Sequence, residues 1–225
     1  MGRIAIVGGT GPEGLGLGLR FALCGEEVRI GSRQASRAAA AVEEARKQLQ
    51  AVQCEAKISG AENSLAVEGA EVVVLAIPYA GVADLLPQLA PRLAGKLVIE
   101  VINPLVRKDG IFRSADVPAG SAGEEIRDLL PEAMVVSAFK NESAEELRSL
   151  REPLYGDVVV CGDDAAARAR VVDLVGRMRN LRAVDAGAMI NARSVEALTA
   201  LLLNLNKRHR AITSIQILGL GKSHP

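Results

Sequence analysis

The chain has 225 residues, 49% hydrophobic and only 2% aromatic, so its core must be built from Ala, Val, Leu and Ile. Its 27 basic and 27 acidic residues cancel, which argues against a general nucleic-acid-binding surface. The length suits one large α/β domain with a small appendage; no apolar run is long enough to span a bilayer, and with no signal peptide visible a cytoplasmic location is expected.

The first unit is the richest. Arg3-Ile-Ala-Ile-Val-Gly-Gly-Thr-Gly-Pro-Glu-Gly14 joins a short apolar strand to a glycine turn, a helix-like segment follows, and Val28-Arg-Ile-Gly-Ser-Arg33 forms a second strand. Strand, glycine turn, helix and strand in that order seat a dinucleotide pyrophosphate on a helix N-terminus. Gly9 permits the tight turn, Gly11 lets backbone approach the phosphates, and Gly14 lets the helix pack closely on the sheet, with Gly18 on the same face. The loop residues Gly9, Thr10, Gly11, Pro12, Glu13 and Gly14 are therefore candidate cofactor contacts. At the end of the second strand, no carboxylate occurs from Val28 to Arg37 to accept from an adenosine ribose. Ser32 and Arg33 stand there instead, a hydroxyl beside a planar guanidinium, which suits a 2′-phosphate and points to NADP. Arg37 adds charge.

Further on, Ala35–Val52 reads as an Ala-rich amphipathic helix, Ala56–Ser59 as a weak strand, and Glu71–Ile77 as a strand buried on both faces. Pro78 ends it, and Tyr79–Leu93 reads as a helix interrupted by Pro87. Lys96–Val101 is a strand, and a loop extends from Asn103-Pro104 to about Gly120. Ser121-Ala-Gly-Glu124 matches a capping box for a helix to Leu130. Strands are expected at Ala133–Ala138, Asp157–Cys161 and Leu181–Val184, with a helix at Asp163–Met178. This alternation predicts an α/β protein: a Rossmann-type doubly wound parallel sheet over residues 1–187. Ile190–Ile212 reads as one long helix ending in Lys207-Arg-His-Arg210, within a small helical C-terminal part at 188–225. Its apolar face is expected to lie against the main domain or a second subunit, so a homodimer is expected. Cys24, Cys54 and Cys161 show no CxxC spacing, and neither a disulfide framework nor a metal site is expected.

In an open parallel sheet the ligand lies across the carboxyl ends of the strands. Ile77 and Pro78 are thus placed against the nicotinamide, while Asn103 and the segment Ala138–Asn141 reach the opposite side of the cleft. The two histidines, His209 and His224, lie in the C-terminal tail, and no pair for general acid–base work is visible. No catalytic side chain is assigned. The better fit is hydride transfer between two rings, where stacking geometry does most of the work.

The glycine loop, Ile30-Gly-Ser-Arg33, Leu75-Ala-Ile-Pro78, Val136-Ser-Ala138, Val160-Cys-Gly-Asp163, Asp185-Ala-Gly187 and Asn191-Ala-Arg-Ser-Val-Glu-Ala-Leu198 together resemble the NADPH-dependent reductases of the deazaflavin coenzyme F420. The resemblance runs in order along nearly the whole chain. It implies hydride exchange between NADPH and the deazaflavin, with Thr10, Ser32 and Arg33 at the NADP phosphates. It also implies Ile77 and Pro78 beside the nicotinamide and Ala138 in the segment facing the second ring. Phe139-Lys140-Asn141-Glu142 departs from the family's usual sequence, leaving the acceptor open between coenzyme F420 and a flavin. The alternatives are a non-catalytic NADP(H)-binding sensor or regulator, and a small-substrate NADPH reductase, for which Lys140 or Asp185 would be the acid.

Overall fold

A computed structural model of the chain describes residues 2–220; residues 221–225, His224 among them, lie outside the described part. The architecture starts from the parity of the first strand, β1 (Ile4–Val7): Ile4 and Ile6 enter one apolar cluster, Ala5 and Val7 another. A strand apolar on both faces must be covered on both, and only helices returning between parallel strands do that. In chain order there follow α1 (Pro12–Leu23), β2 (Val28–Ser32), α2 (Ala35–Ala51), β3 (Ile58–Glu62), α3 (Asn63–Ala66), β4 (Val72–Leu75), α4 (Val82–Leu93) and β5 (Leu97–Glu100). Then come β6 (Leu105–Lys108), β7 (Ile111–Ser114), α5 (Ala122–Leu129), β8 (Met134–Ser137), α6 (Ala144–Arg148), β9 (Gly156–Val160), α7 (Ala165–Gly176), β10 (Leu181–Asp185) and α8 (Ala192–His209).

Six strands form one parallel sheet in the order β3-β2-β1-β4-β5-β8. α1, α2 and α7 cover one face; α4, α5 and the start of α8 (Ala192, Val195) cover the other. The expected α/β class with a doubly wound parallel sheet is the fold observed. Because the chain turns back between β1 and β4, the two halves diverge there and open a crevice at the carboxyl edge.

Four local readings change. The strands at 157–161 and 181–184 do not continue the large sheet: β9 and β10 form their own parallel pair, joined to β8 by an antiparallel bridge between Ser137 and Cys161. Running antiparallel, β9 starts at the edge where β8 ends, so the connection need not cross back over the sheet. It stays at the carboxyl edge and carries α6, which packs on α1 where a side chain at Gly16 would meet Leu147. Pro87 does not interrupt its helix: α4 is continuous, with Pro87 and Pro91 on its solvent side and Leu86, Leu89 and Leu93 buried. The apolar face outweighs the lost backbone bond.

The expected loop after Asn103 contains the hairpin β6–β7, turned at Asp109-Gly110 with both residues at positive φ (51° and 77°). Asp-Gly between alternating side chains is the usual signature of that turn, so the signal was present in the sequence. The long helix stops at His209 rather than Ile212, where Arg210 takes a left-handed conformation with φ 52°.

Candidate functional site

The chain leaves β1 through Gly8 at φ 75°, where a Cβ would lie 2.5 Å from the carbonyl oxygen of Ala76. Only glycine permits that turn. At the start of α1 a Cβ on Gly14 would lie 2.8 Å from Gly9 Cα, so glycine allows the helix to enter directly over the turn. The first turn of an α-helix has no internal acceptors for its N–H groups, and this one opens at the carboxyl edge of the sheet.

A cleft of about 720 Å³ runs across this edge. Gly8, Thr10 and Gly11 line it from β1, Ser32, Arg33 and Arg37 from the β2 side, and Ala76, Ile77 and Pro78 from β4. The turn before α4 and its first half close the far wall through Ala80, Gly81, Asp84, Leu85 and Gln88. Ser32 is buried and its Oγ accepts from Gln34 N at 3.4 Å, leaving its own proton to donate. Arg33 and Arg37 are exposed, and among the described residues neither is in an ion pair. Two free guanidiniums beside a hydroxyl make a strong phosphate seat. The volume, the open helix end and this cation pair fit a dinucleotide phosphate.

Sequence reasoning missed Asn63. It is buried at the start of α3, lines the cleft, and accepts from Gly8 N through Oδ1 at 3.3 Å, thereby fixing the glycine turn. Nothing in its sequence context marks it, because the contact spans the sheet between β1 and β3.

Gly9, Pro12, Glu13 and Gly14 belong to the same turn but do not line this cleft. Asn103 and Ala138 do not line it either. Asn103 donates from Nδ2 to the Lys140 carbonyl at 2.8 Å, and its Oδ1 is buried without a partner. Ala138 is fully buried at the end of β8, donating its N–H to the Glu100 carbonyl. Lys140, considered above as an acid, points inward: Nζ lies 2.8 Å from Glu100 Oε2 and 3.0 Å from Glu196 Oε1, and it also donates to the Ile102 carbonyl. All its protons are committed away from the cleft. Asp185 is also engaged, accepting from Arg168 Nε and Gly187 N, each at 2.8 Å. Burial holds Glu196 above the usual carboxylate range although Lys140 opposes it.

The turn after β8 places another pair of acids. Phe139 adopts φ 57°, unusual for a bulky residue, and its ring meets Phe21 edge-on with centroids 5.9 Å apart. Its carbonyl accepts from Glu142 N at 3.2 Å, closing a tight turn that brings Glu142 beside Glu13 of α1. Burial pushes Glu13 up to about 8, with the charge of Glu142 adding to it. Burial likewise pushes Glu142 up to about 8, reinforced by Glu146 and Asp157.

A family profile described as "NADP oxidoreductase coenzyme F420-dependent" matches residues 3–104. The chain is 38% identical over 221 residues to the F420-dependent NADP reductase of Methanocaldococcus jannaschii, covering 97% of this chain and 99% of that one. It is 38% identical over 213 residues to the enzyme of the same name from Methanothermobacter marburgensis, covering 92% and 94%. A crystal structure described as a candidate F420-dependent NADP reductase from Arthrobacter sp. FB24 superposes with a TM-score of 0.80 at 27% identity, covering 96% of this chain and 98% of that one. The glycine turn, the Ser32–Arg33 exit and a relationship spanning nearly the full length together place this chain in the F420-dependent NADP reductase family.

Proposed function

We propose that the protein exchanges a hydride between NADPH and coenzyme F420. The observation that carries this is the coincidence of a cleft lined by Ser32, Arg33 and Arg37 at the sheet's switch point with 38% identity to F420-dependent NADP reductases over 97% of the chain. Bound NADP(H) would supply or take the hydride at its nicotinamide, with the deazaflavin as the other partner.

The chain's own residues then do the positioning. The Gly9–Gly14 turn, with Thr10, Pro12 and Glu13, forms the α1 N-terminus that receives the pyrophosphate. Ser32 and Arg33 take the 2′-phosphate. Ile77 and Pro78 give an apolar wall that orients one ring face and keeps water from it. Asn103 and Ala138 act by fixing the β5 and β8 exits, since their side chains are directed into the protein. Residues 1–187 make the NADP-binding part, and α8 in the C-terminal part braces it through Glu196 and Lys140.

The test is absorbance spectroscopy: protein, NADPH and either oxidised F420 or a flavin are mixed, and the reduced-nicotinamide band is followed. Rapid loss of that band with F420 is expected. No turnover with F420 would overturn the reading, and turnover with flavin alone would reassign the acceptor. Val106, Ile111 and Leu201, exposed on the hairpin and on α8 packed beside it, support a second copy of the chain as partner, which light scattering in solution checks. Three unpaired cysteines support a reducing, cytoplasmic location. No described helix is long and apolar enough to cross a membrane.

A further inference from the structure

We propose that Glu13 and Glu142 form a proton-holding pair that keeps the pyrophosphate end of the dinucleotide seat free of negative charge, so that losing the proton weakens binding of the anionic cofactor. This rests on the reading that the glycine turn binds NADP(H). Glu13 stands in the first turn of α1, two residues beyond Gly11, which lines the cleft. An ionised carboxylate at that point opposes the pyrophosphate that the helix end otherwise attracts.

Apart from the helix end itself, the described residues offer Glu13 no partner for that charge. Glu13 Oε1 is buried and accepts no hydrogen bond among the described residues. Neither Glu13 nor Glu142 has a cation within ion-pair distance among them. The Asn141 side chain, only 4% exposed, donates to Glu142 Oε1 at 3.0 Å, while its own Oδ1 has no partner. The segment thus holds a second buried acceptor without a donor.

The surrounding charges are either negative or engaged elsewhere. From α6, Glu145 and Glu146 add negative charge, and Arg148 is held by Glu44 of α2 at 3.0 Å. On α1, Arg20 donates to the carbonyls of Glu146, Leu147, Ser149 and Glu152. Lys140 is committed to Glu100 and Glu196, and Asp157 of β9 is paired with Arg182. Burial pushes both acids up to about 8, so the pair enters neutral solution protonated and ionises just above it. Because the two carboxyls couple, the protons leave in steps that belong to the pair.

The experiment has two arms. In the first, the carboxyl carbons of the ligand-free full-length chain are followed by NMR from acid to alkaline pH. Two glutamates titrating far above the usual range are expected; Glu13→Gln should abolish one and lower the midpoint of the other. In the second arm, NADPH affinity is measured by calorimetry near pH 7 and near pH 9.5, where the 2′-phosphate is already fully charged. The native chain should bind roughly tenfold more weakly at the higher pH, whereas Glu13→Gln, a neutral mimic, should stay nearly flat. Glu142→Gln, which removes the like charge, should bring the midpoint of the loss down. Equal slopes in the native chain and Glu13→Gln, or ordinary carboxyl midpoints, would overturn the proposal. Absence of NADPH binding near pH 7 would instead overturn the dinucleotide reading, with the NMR arm deciding separately whether the pair holds its proton.

Discussion

Lys140→Met probes the junction between the parallel sheet and the C-terminal helix. Nζ lies 2.8 Å from Glu100 and 3.0 Å from Glu196, with all three side chains no more than 3% exposed, and its remaining donor goes to the Ile102 carbonyl. Methionine keeps the length and removes the charge, leaving two carboxylates buried together. Breaking a buried pair from one side costs about 3–5 kcal/mol. Here one acid loses only part of its support, because Glu196 also accepts from the N–H groups of Ala122 and Gly123 at 3.3 and 3.4 Å. Glu100 keeps a single donor, the Ile102 N–H to Oε2 at 3.1 Å, and its Oε1 already has no partner.

A loss of about 3–5 kcal/mol corresponds to a melting point lower by roughly 6–20 °C for a chain of this size. Circular dichroism during urea and thermal unfolding measures both. The sign with pH follows from burial, which already raises Glu196 in the folded state. A folded carboxyl that holds its proton more tightly than the unfolded one stabilises at acid pH, and that contribution fades as pH climbs from about 4.3 towards the raised folded value. The deficit of the variant should therefore be smallest near pH 5 and grow towards pH 8. A loss below about 1 kcal/mol at neutral pH, or a loss independent of pH, would refute the reasoning.

Three other outcomes are expected. Arg33→Ala should weaken NADPH by about ten- to a hundredfold and NADH little, because only the former carries the phosphate; equal loss in calorimetry would remove Arg33 from that role. Gly14→Ala puts a methyl 2.8 Å from Gly9 Cα and 2.9 Å from the Gly8 carbonyl, so urea unfolding should show a loss of about 1–3 kcal/mol and NADPH affinity should fall with it. Asp157 is buried, yet Arg182 at 2.5 Å and the Ile217 N–H hold its carboxyl below the usual range. Its contribution is present above about pH 4 and lost as pH falls further, so amide protection at Ile217 should drop there before the sheet unfolds.

The parallel sheet was readable because its central strands are apolar at consecutive positions: Val72–Leu75 has no polar side, and strands like it admit only a two-face cover. The phosphate end was readable because Gly8–Gly14 and Ser32–Arg33 are contiguous in sequence and each exits a strand. What escaped has a different character. Asn63 acts on Gly8 across 55 positions of sequence, and Lys140 finds Glu196 across 56. Glu142 comes within electrostatic reach of Glu13 only because Phe139 turns the chain back. Such contacts depend on which strands are neighbours and on a single backbone dihedral, and neither leaves a local pattern. The hairpin and α6 escaped for a simpler reason: Asp109-Gly110 and Ser143-Ala-Glu-Glu146 carry their turn and cap signals in segments too short to show periodicity.

The left-handed bend at Phe139 has a bearing on how this segment can change over generations. Within four positions it sends Lys140 down to the Glu100–Glu196 site and Glu142 across to α1. Substitutions there alter one destination at a time. Insertion or deletion of a single residue shifts the register, putting Phe139 or Asn141 where the buried ammonium belongs and Asn141 or Ser143 where Glu142 faces α1. The segment is therefore open to drift in spelling but closed to drift in length, and natural variants should differ in side chains between Ser137 and Ser143 while conserving the count.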